Sequence, residues 1–255
     1  MSPLQTDLSI YQKFNFEKPP IGIKFLFRKP EGIERLNKNM PLCEMLKEAQ
    51  ERGAPFYMDK DNEDCFGKLP LGMELPIENI LPYTESGEVG PKFECFRDAR
   101  ANRRIYEHIP RLGKGTVNYV AFSPLDKLTF EPDLMILNAT VSQAEIVLRA
   151  MSYATGEIWS PKGTHVLSCA WLYVYPFKSG KVNYTITGLA FGSKARKIFQ
   201  EGWMLISIPW DWIPTITNTL KEMDWVPGPF SDTKEQFLAR FNRIAEEVAN
   251  ESQNP

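Results

Sequence analysis

VNYVAFSPLDKLTFEPDLMILNATVSQAEIVLRAMSYATG, residues 117–156, is the stretch on which the fold turns. Its opening, VNYVAFSPL (117–125), is dense in β-branched and aromatic side chains and reads as a strand. Pro132 introduces a second strand, DLMILNAT (133–140). The period then changes. In VSQAEIVLRAMSYATG (141–156), Ala144, Val147, Leu148 and Met151 fall on one helical face and Gly156 marks the stop. Strand, strand and helix in that order belong to a mixed sheet covered by helices. The expected fold is therefore α+β, a single compact domain with a mixed β-sheet flanked by helices.

The flanking segments extend this pattern. Upstream, a short helix around Leu8–Phe14 is broken by Lys18-Pro19-Pro20, and IGIKFLF (21–27) is a buried strand. A helix follows from about Leu42 to Arg52, with Pro41 ahead of it and Gly53 as its stop. PFYM (55–58) reads as a short strand. A stretch rich in proline and glycine then runs through Gly90 without strong periodicity. CFRDARANRRIYEHI (95–109) reads as a helix opening at or just after Cys95, with Arg97, Arg100, Arg103 and Arg104 on a solvated face. Downstream come an apolar segment, Thr164–Val174, a strand in KVNYTITGLAFG (181–192), a short helix in SKARKIF (193–199) and a buried strand, WMLISIP (203–209). Ser231 is placed to cap a last amphipathic helix, about 231–249. No repeat or linker divides residues 1–255.

Composition excludes several classes of function. Apolar residues make up 43% and charged residues 24%, as in ordinary globular proteins. A net charge of −2 leaves no electrostatic footprint for nucleic acid. The longest apolar runs are about half of the roughly twenty residues a membrane span needs. The start, MSPLQTDLSIYQKF, lacks the order of a secretory signal, so the expected location is the cytoplasm. Two histidines, His108 and His165, are too few for a three-histidine zinc site.

Chemistry then rests on four cysteines, too sparse for a disulfide scaffold. Cys43 falls in the first turn of its helix, where unpaired N–H groups and the dipole favour a thiolate. Cys65 sits in an acidic loop punctuated by glycine. Cys95 opens a helix. Cys169 lies in an apolar run and is either a small buried hydrophobe or a distant ligand. No two form the CxxC knuckle of a zinc ribbon or the compact run of a ferredoxin. His108 or His165 could activate a cysteine, with Cys43 the nucleophile to test. GLAFGSKAR (188–196) could hold an anion at a helix start, while Asp59, Asp61, Glu63 and Asp64 lack the ordered spacing of a calcium loop. A metal-free alternative is an aromatic pocket for a small organic molecule, using Trp159, Trp171, Trp203, Trp210 and Trp212.

The succession of IGIKFLF, MPLCEMLKEA, DCFGKLPLGM, VAFSPLDKLTFEPDLMIL, VSQAEIVLRAMSYATG, LSCAWLYVYP and WMLISIPWDWI resembles the uncharacterised prokaryotic family named domain of unknown function 169. The resemblance runs from about residue 20 to residue 222. It implies a protein of anaerobic metabolism with recurring cysteines that bind an iron–sulfur cluster of the 4Fe-4S type. Cys43, Cys65 and Cys169 would be ligands, with Cys95 a fourth candidate and Gly67, Gly192 and Lys194 beside the cofactor. Family members often carry a further Cys-x-Gly-x-Arg-like motif. Here the corresponding residues are Ala190, Gly192 and Lys194, so either the ligand set differs, with Cys95 as a substitute, or this member has lost the site. The expected partners are a redox protein or small molecule, with homodimerisation suggested by the aromatic content.

Overall fold

The computed structural model describes residues 2–73 and 86–253. Part of the Pro/Gly-rich stretch before Gly90 therefore lies outside the described residues.

Seven strands form one sheet in the order β2-β3-β4-β1-β5-β7-β6. They are β1 (Ile21–Leu26), β2 (Glu34–Arg35), β3 (Phe56–Asp59), β4 (Tyr119–Pro124), β5 (Leu134–Ala139), β6 (Asn183–Ile186) and β7 (Met204–Pro209). The short β2–β3 pair is parallel and every other pairing is antiparallel, so the sheet is mixed. The helices are α1 (Leu42–Arg52), α2 (Val89–Lys92), α3 (Ala99–His108), α4 (Val141–Thr155), α5 (Tyr175–Ser179), α6 (Phe191–Ala195), α7 (Ile213–Glu222) and α8 (Lys234–Gln253). This is the α+β architecture expected from residues 117–156.

Alternation along the strands divides the interior into two cores. Ile21, Ile23, Phe56, Met58, Val120, Phe122, Leu134 and Ile136 point to one face, where Met45, Leu46 and Ala49 of α1 pack on them with Leu172–Val174. Tyr57, Ala121, Met135, Leu137, Ile206 and Ile208 point to the other face, under Val147 and Met151 of α4 and Ile216 and Leu220 of α7. β1 carries a charge where it leaves the core: Lys24 reaches Asp133 at 2.8 Å, and the other carboxylate oxygen accepts from Phe25 N at 2.7 Å. The pair ties β1 to the entry of β5.

The helix ends show which local signals hold. α4 begins with a capping box, Thr140 and Gln143 each accepting from the other's backbone N–H. α3 starts at Ala99, later than Cys95, because Asp98 accepts from Ala101 N at 2.9 Å. The expected cap of the last helix is corrected too. Ser231 Oγ donates to Gly228 O inside a preceding turn, and Thr233 and Gln236 form the box. Thr-Lys-Glu-Gln is the capping-box pattern and was readable in the sequence.

The Thr164–Val174 segment is helical in its second half. Ala170–Val174 is a π-turn that runs into α5, with Tyr175 N reaching back to Ala170 O. The next residue, Pro176, has no N–H to offer Trp171 O. Asn183 Nδ2 on β6 supplies that donor at 2.7 Å and also bonds Lys162 O at 2.9 Å. A proline is thereby accommodated within the helical run that follows Cys169.

Candidate functional site

Cys43, Cys65, Cys95 and Cys169 all line one cavity of about 230 Å³ on the α1 face of the sheet. Four segments bring them there. Cys43 is in the first turn of α1, Cys65 in the following loop, Cys95 between α2 and α3, and Cys169 at the start of the π-turn. Clefts of about 380 and 470 Å³ lie elsewhere, but neither is lined by a thiol or a histidine. Chemistry, not size, singles out the thiol cavity.

Glu63 holds two of these segments together. It is 1% exposed, and its Oε1 accepts from Leu42 N at 3.2 Å while Oε2 accepts from Cys65 N at 3.2 Å and Lys68 N at 3.3 Å. One carboxylate thus caps α1 from a distance and shapes the Cys65 loop. Burial pushes this carboxyl up, and the backbone donors, including Gly67 N, pull the other way. Gly67 is required by the close approach: a Cβ there would stand 2.8 Å from Glu63 Oε1 and 3.0 Å from Leu42 Cβ.

This cap corrects the expectation that the α1 N-terminus lowers the Cys43 pKa. The helix start is already met by the Glu63 carboxylate, and burial is the largest influence on Cys43, pushing its thiol up. The Ser193 hydroxyl and the Arg196 guanidinium oppose the rise, with Arg196 Nη2 3.5 Å from Cys43 Sγ. Cys65 is exposed as a residue, yet the crowded loop around its sulfur still raises its thiol, opposed by the Phe66 backbone N–H and then reinforced by the Glu63 charge. Desolvation raises Cys95 as well. Cys169 is raised well above the usual value near 9, first by burial and then by the charges of Cys43, Glu63 and Cys65. Burial thus favours the neutral thiol at each of the four cysteines.

The wall contains only one lysine or arginine among the described residues, Arg196, which also lies 3.5 Å from Glu44. Phe66, Phe93, Tyr106, Leu167 and Phe191 make much of the remainder apolar. Backbone strain collects here too. Of the four described non-glycine residues at positive φ, Leu167 (47°) is on the wall, while Glu94 (57°) and Lys197 (54°) adjoin Cys95 and Arg196. Such conformations cost about 1–3 kcal/mol each and persist where surrounding structure imposes them.

The remaining expected residues divide. Gly67 and Gly192 line the cavity, whereas Lys194 turns outward to Glu201 at 3.4 Å. His165 is on the wall, but its Nε2 bonds the Cys95 carbonyl at 2.7 Å, which requires the proton on that nitrogen. His108 is exposed at the end of α3. The tryptophans do not gather around one pocket. Trp159, Trp210 and Trp212 pack on the opposite core, while Trp171 donates to Thr164 Oγ1 at 2.8 Å. Of the acidic loop, Asp59 pairs with Arg35 at 2.7 Å and only Glu63 enters the site. Glu63 and Arg196 are the site residues that sequence reasoning missed. An acid just before Cys-Phe-Gly and a basic residue after GLAFGS were the available signals.

Among the described residues, no three histidine, cysteine, aspartate or glutamate side chains stand together as ligands for a single metal ion. The thiols border a shared space without closing on one point. No described helix is long and apolar enough to cross a membrane.

Comparison with known proteins agrees with the motif order. The family model of domain of unknown function 169, described as "Uncharacterised ArCR", matches residues 9–219. An uncharacterized protein of Methanocaldococcus jannaschii, MJ0308, is 25% identical over 144 residues, covering 55% of this chain and 60% of that relative. The chain thus spans less than two thirds of that relative's length. No solved structure matches. With a family match across both cores and the whole thiol cavity, the chain belongs to the domain of unknown function 169 family.

Proposed function

We propose that this protein binds an iron–sulfur cluster of the 4Fe-4S type in the thiol cavity, with Cys43, Cys65, Cys95 and Cys169 as the residues that would hold it. The observation that carries this reading is the presence of all four thiols on one 230 Å³ cavity. A single ion needs its ligands crowded around one centre, whereas a cluster gives each thiolate a different iron. Burial and mutual repulsion keep the thiols protonated when nothing cationic is present, and metal binding deprotonates a coordinating thiol outright.

When bound, the group would supply one-electron transfer or a Lewis-acidic iron for a small substrate. The chain's own residues set the conditions. Arg196 and Ser193 donate toward Cys43, and such donors to a ligand sulfur tune potential. Phe66, Phe93, Tyr106 and Phe191 make the rest of the lining largely apolar. A redox protein or small molecule would meet the site through the exposed Cys65 side, in the cytoplasm of an anaerobe.

Anaerobic purification or reconstitution with iron and sulfide tests this. The expected result is bound iron and sulfide in equal amounts with a broad visible band, lost stepwise in Cys43→Ser, Cys65→Ser, Cys95→Ser and Cys169→Ser. A colourless protein after reconstitution would sink the reading. The mostly apolar wall favours one rival, a metal-free pocket for a small organic molecule, which predicts that the serine variants keep their ligand. A cysteine nucleophile has less support, since the one imidazole on the wall is engaged with the Cys95 carbonyl.

A further inference from the structure

Helix α8 shows a stripe that its own fold does not bury. Phe237, Phe241, Ile244 and Val248 recur at alternating spacings of four and three residues and are 47%, 59%, 45% and 55% exposed, with Leu238 beside them at 47%. From Lys234 to Glu251 every residue except Arg240 is exposed. This spacing is the a/d seam of a coiled coil, and an amphipathic helix draws most of its stability from packing that seam.

The charges along α8 identify what packs there. Residues 234–243 carry Lys234, Arg240 and Arg243 against Glu235 alone, while residues 244–253 carry Glu246, Glu247 and Glu251 and no cation. That order opposes the helix's own dipole, which favours acids at the start and bases at the end. Within one helix this order works against the dipole, offset by the Arg243–Glu247 pair at 3.0 Å and by Asp232, which holds Arg240 at 2.7 Å. Against a second copy running the other way it becomes complementary, basic half on acidic half. A parallel copy would set like on like, and a membrane surface would want basic residues that α8, with four acids to three bases, does not supply.

We infer that α8 is a self-association helix that pairs antiparallel with α8 of a second copy of this chain. In that register Phe241 lies against Ile244 of the partner subunit and Phe237 against Val248 of the partner subunit. Arg240 comes into reach of Glu247 of the partner subunit. Twenty residues make a helix of about 30 Å, so the seam sits at the small end of specific interfaces and the dimer dissociates on dilution. The thiol cavity lies elsewhere in the chain, and this pairing stands whether or not that cavity holds a cluster.

Sedimentation velocity on the full chain, from micromolar to sub-millimolar concentration, reads the equilibrium. Wild type is expected to pass from monomer to dimer. F241E/I244E is expected to remain monomeric with an unchanged melting curve, because both positions are exposed. E246R/E247R changes exposed charge, while R240E/R243E also breaks the Arg240–Asp232 pair and its melting curve is read beside its association; each should weaken association by about tenfold or more, while an equal mixture of the two recovers it. A nitroxide amino acid encoded at position 236 should report separations of about 20 Å or more in the dimer, since antiparallel pairing sets the two copies of that position at opposite ends of the seam. A wild-type monomer throughout, a dimer indifferent to F241E/I244E, closely apposed labels, or monomers that instead co-sediment with phosphatidylglycerol vesicles would each overturn the proposal.

Discussion

Glu63 and Gly67 are built around each other: the carboxylate that caps α1 occupies the space a side chain at Gly67 would need, leaving 2.8 Å between Oε1 and an added Cβ. The Leu42 side chain of α1 also lines that space, with its Cβ at 3.0 Å. Gly67→Ala must displace either the acid or the helix start. We expect it to cost about 1–3 kcal/mol, measurable as a lowered denaturation midpoint, because overpacking of this kind is absorbed by backbone shifts. It should also expose Cys65 to faster alkylation. An alanine variant with wild-type stability would show that the loop and helix are not coupled through this contact.

The Ser193 hydroxyl and, after it, the Arg196 guanidinium are the groups that favour charge on Cys43. Arg196→Gln keeps a donor but removes the cation. The Cys43 thiol should rise further, and its reaction with iodoacetamide at mildly alkaline pH should slow by about three- to tenfold, since one pKa unit is a tenfold change in thiolate. Mass spectrometry of the modified peptide reads this rate. Cys95, which Arg196 does not influence, serves as the internal control.

The cysteines and Tyr173 also set an alkaline limit. Burial raises Cys43, Cys65, Cys169 and Tyr173 above their ordinary values. A raised pKa in the folded state means the stabilising contribution is complete below the unfolded value and is lost as pH rises through the folded one. For the thiols the unfolded value is near 9. The metal-free protein should therefore hold its melting temperature up to about pH 9 and lose it progressively above, and Cys169→Ala should flatten that decline. An equally steep decline in Cys169→Ala would assign the alkaline loss to other groups.

Asn183 carries two otherwise orphaned carbonyls, Trp171 O and Lys162 O, and accepts from Lys162 N at 2.8 Å. It is 2% exposed. Asn183→Ala removes three part-buried hydrogen bonds, at about 0.5–1.5 kcal/mol each before relaxation. Beyond the loss in stability, hydrogen exchange should accelerate in residues 162–174, the wall that carries Cys169. Acceleration spread evenly over the molecule would instead mark a global effect.

What the sequence disclosed followed the reach of its interactions. α1 was legible from Pro41 to Gly53, and α4 from its periodicity and terminal glycine, because those signals act within a few residues. Thr233 was overlooked in favour of Ser231 although its box lies within one turn, a misreading of available information. The Cys43 pKa could not be read locally. Its helix start is neutralised by Glu63, twenty-one positions beyond Leu42 and close only in the folded chain. The π-turn was hidden for a related reason: Pro176 is tolerated because Asn183, on another element, replaces the N–H it lacks. The four thiols could be named individually, but only the sheet order puts them on one cavity.

That order also has a consequence in time. β1 is made early, yet its two neighbours in the sheet, β4 and β5, emerge only after about half the chain has been synthesised. Until then the α1 face has no floor, and Cys43 and Cys65 leave the ribosome long before Cys169. Distant pairings of this kind fold slowly because loop-closure entropy is spent before the contacts return it. The cavity is therefore a late product of folding, and any cargo it accepts meets a finished protein rather than a nascent one.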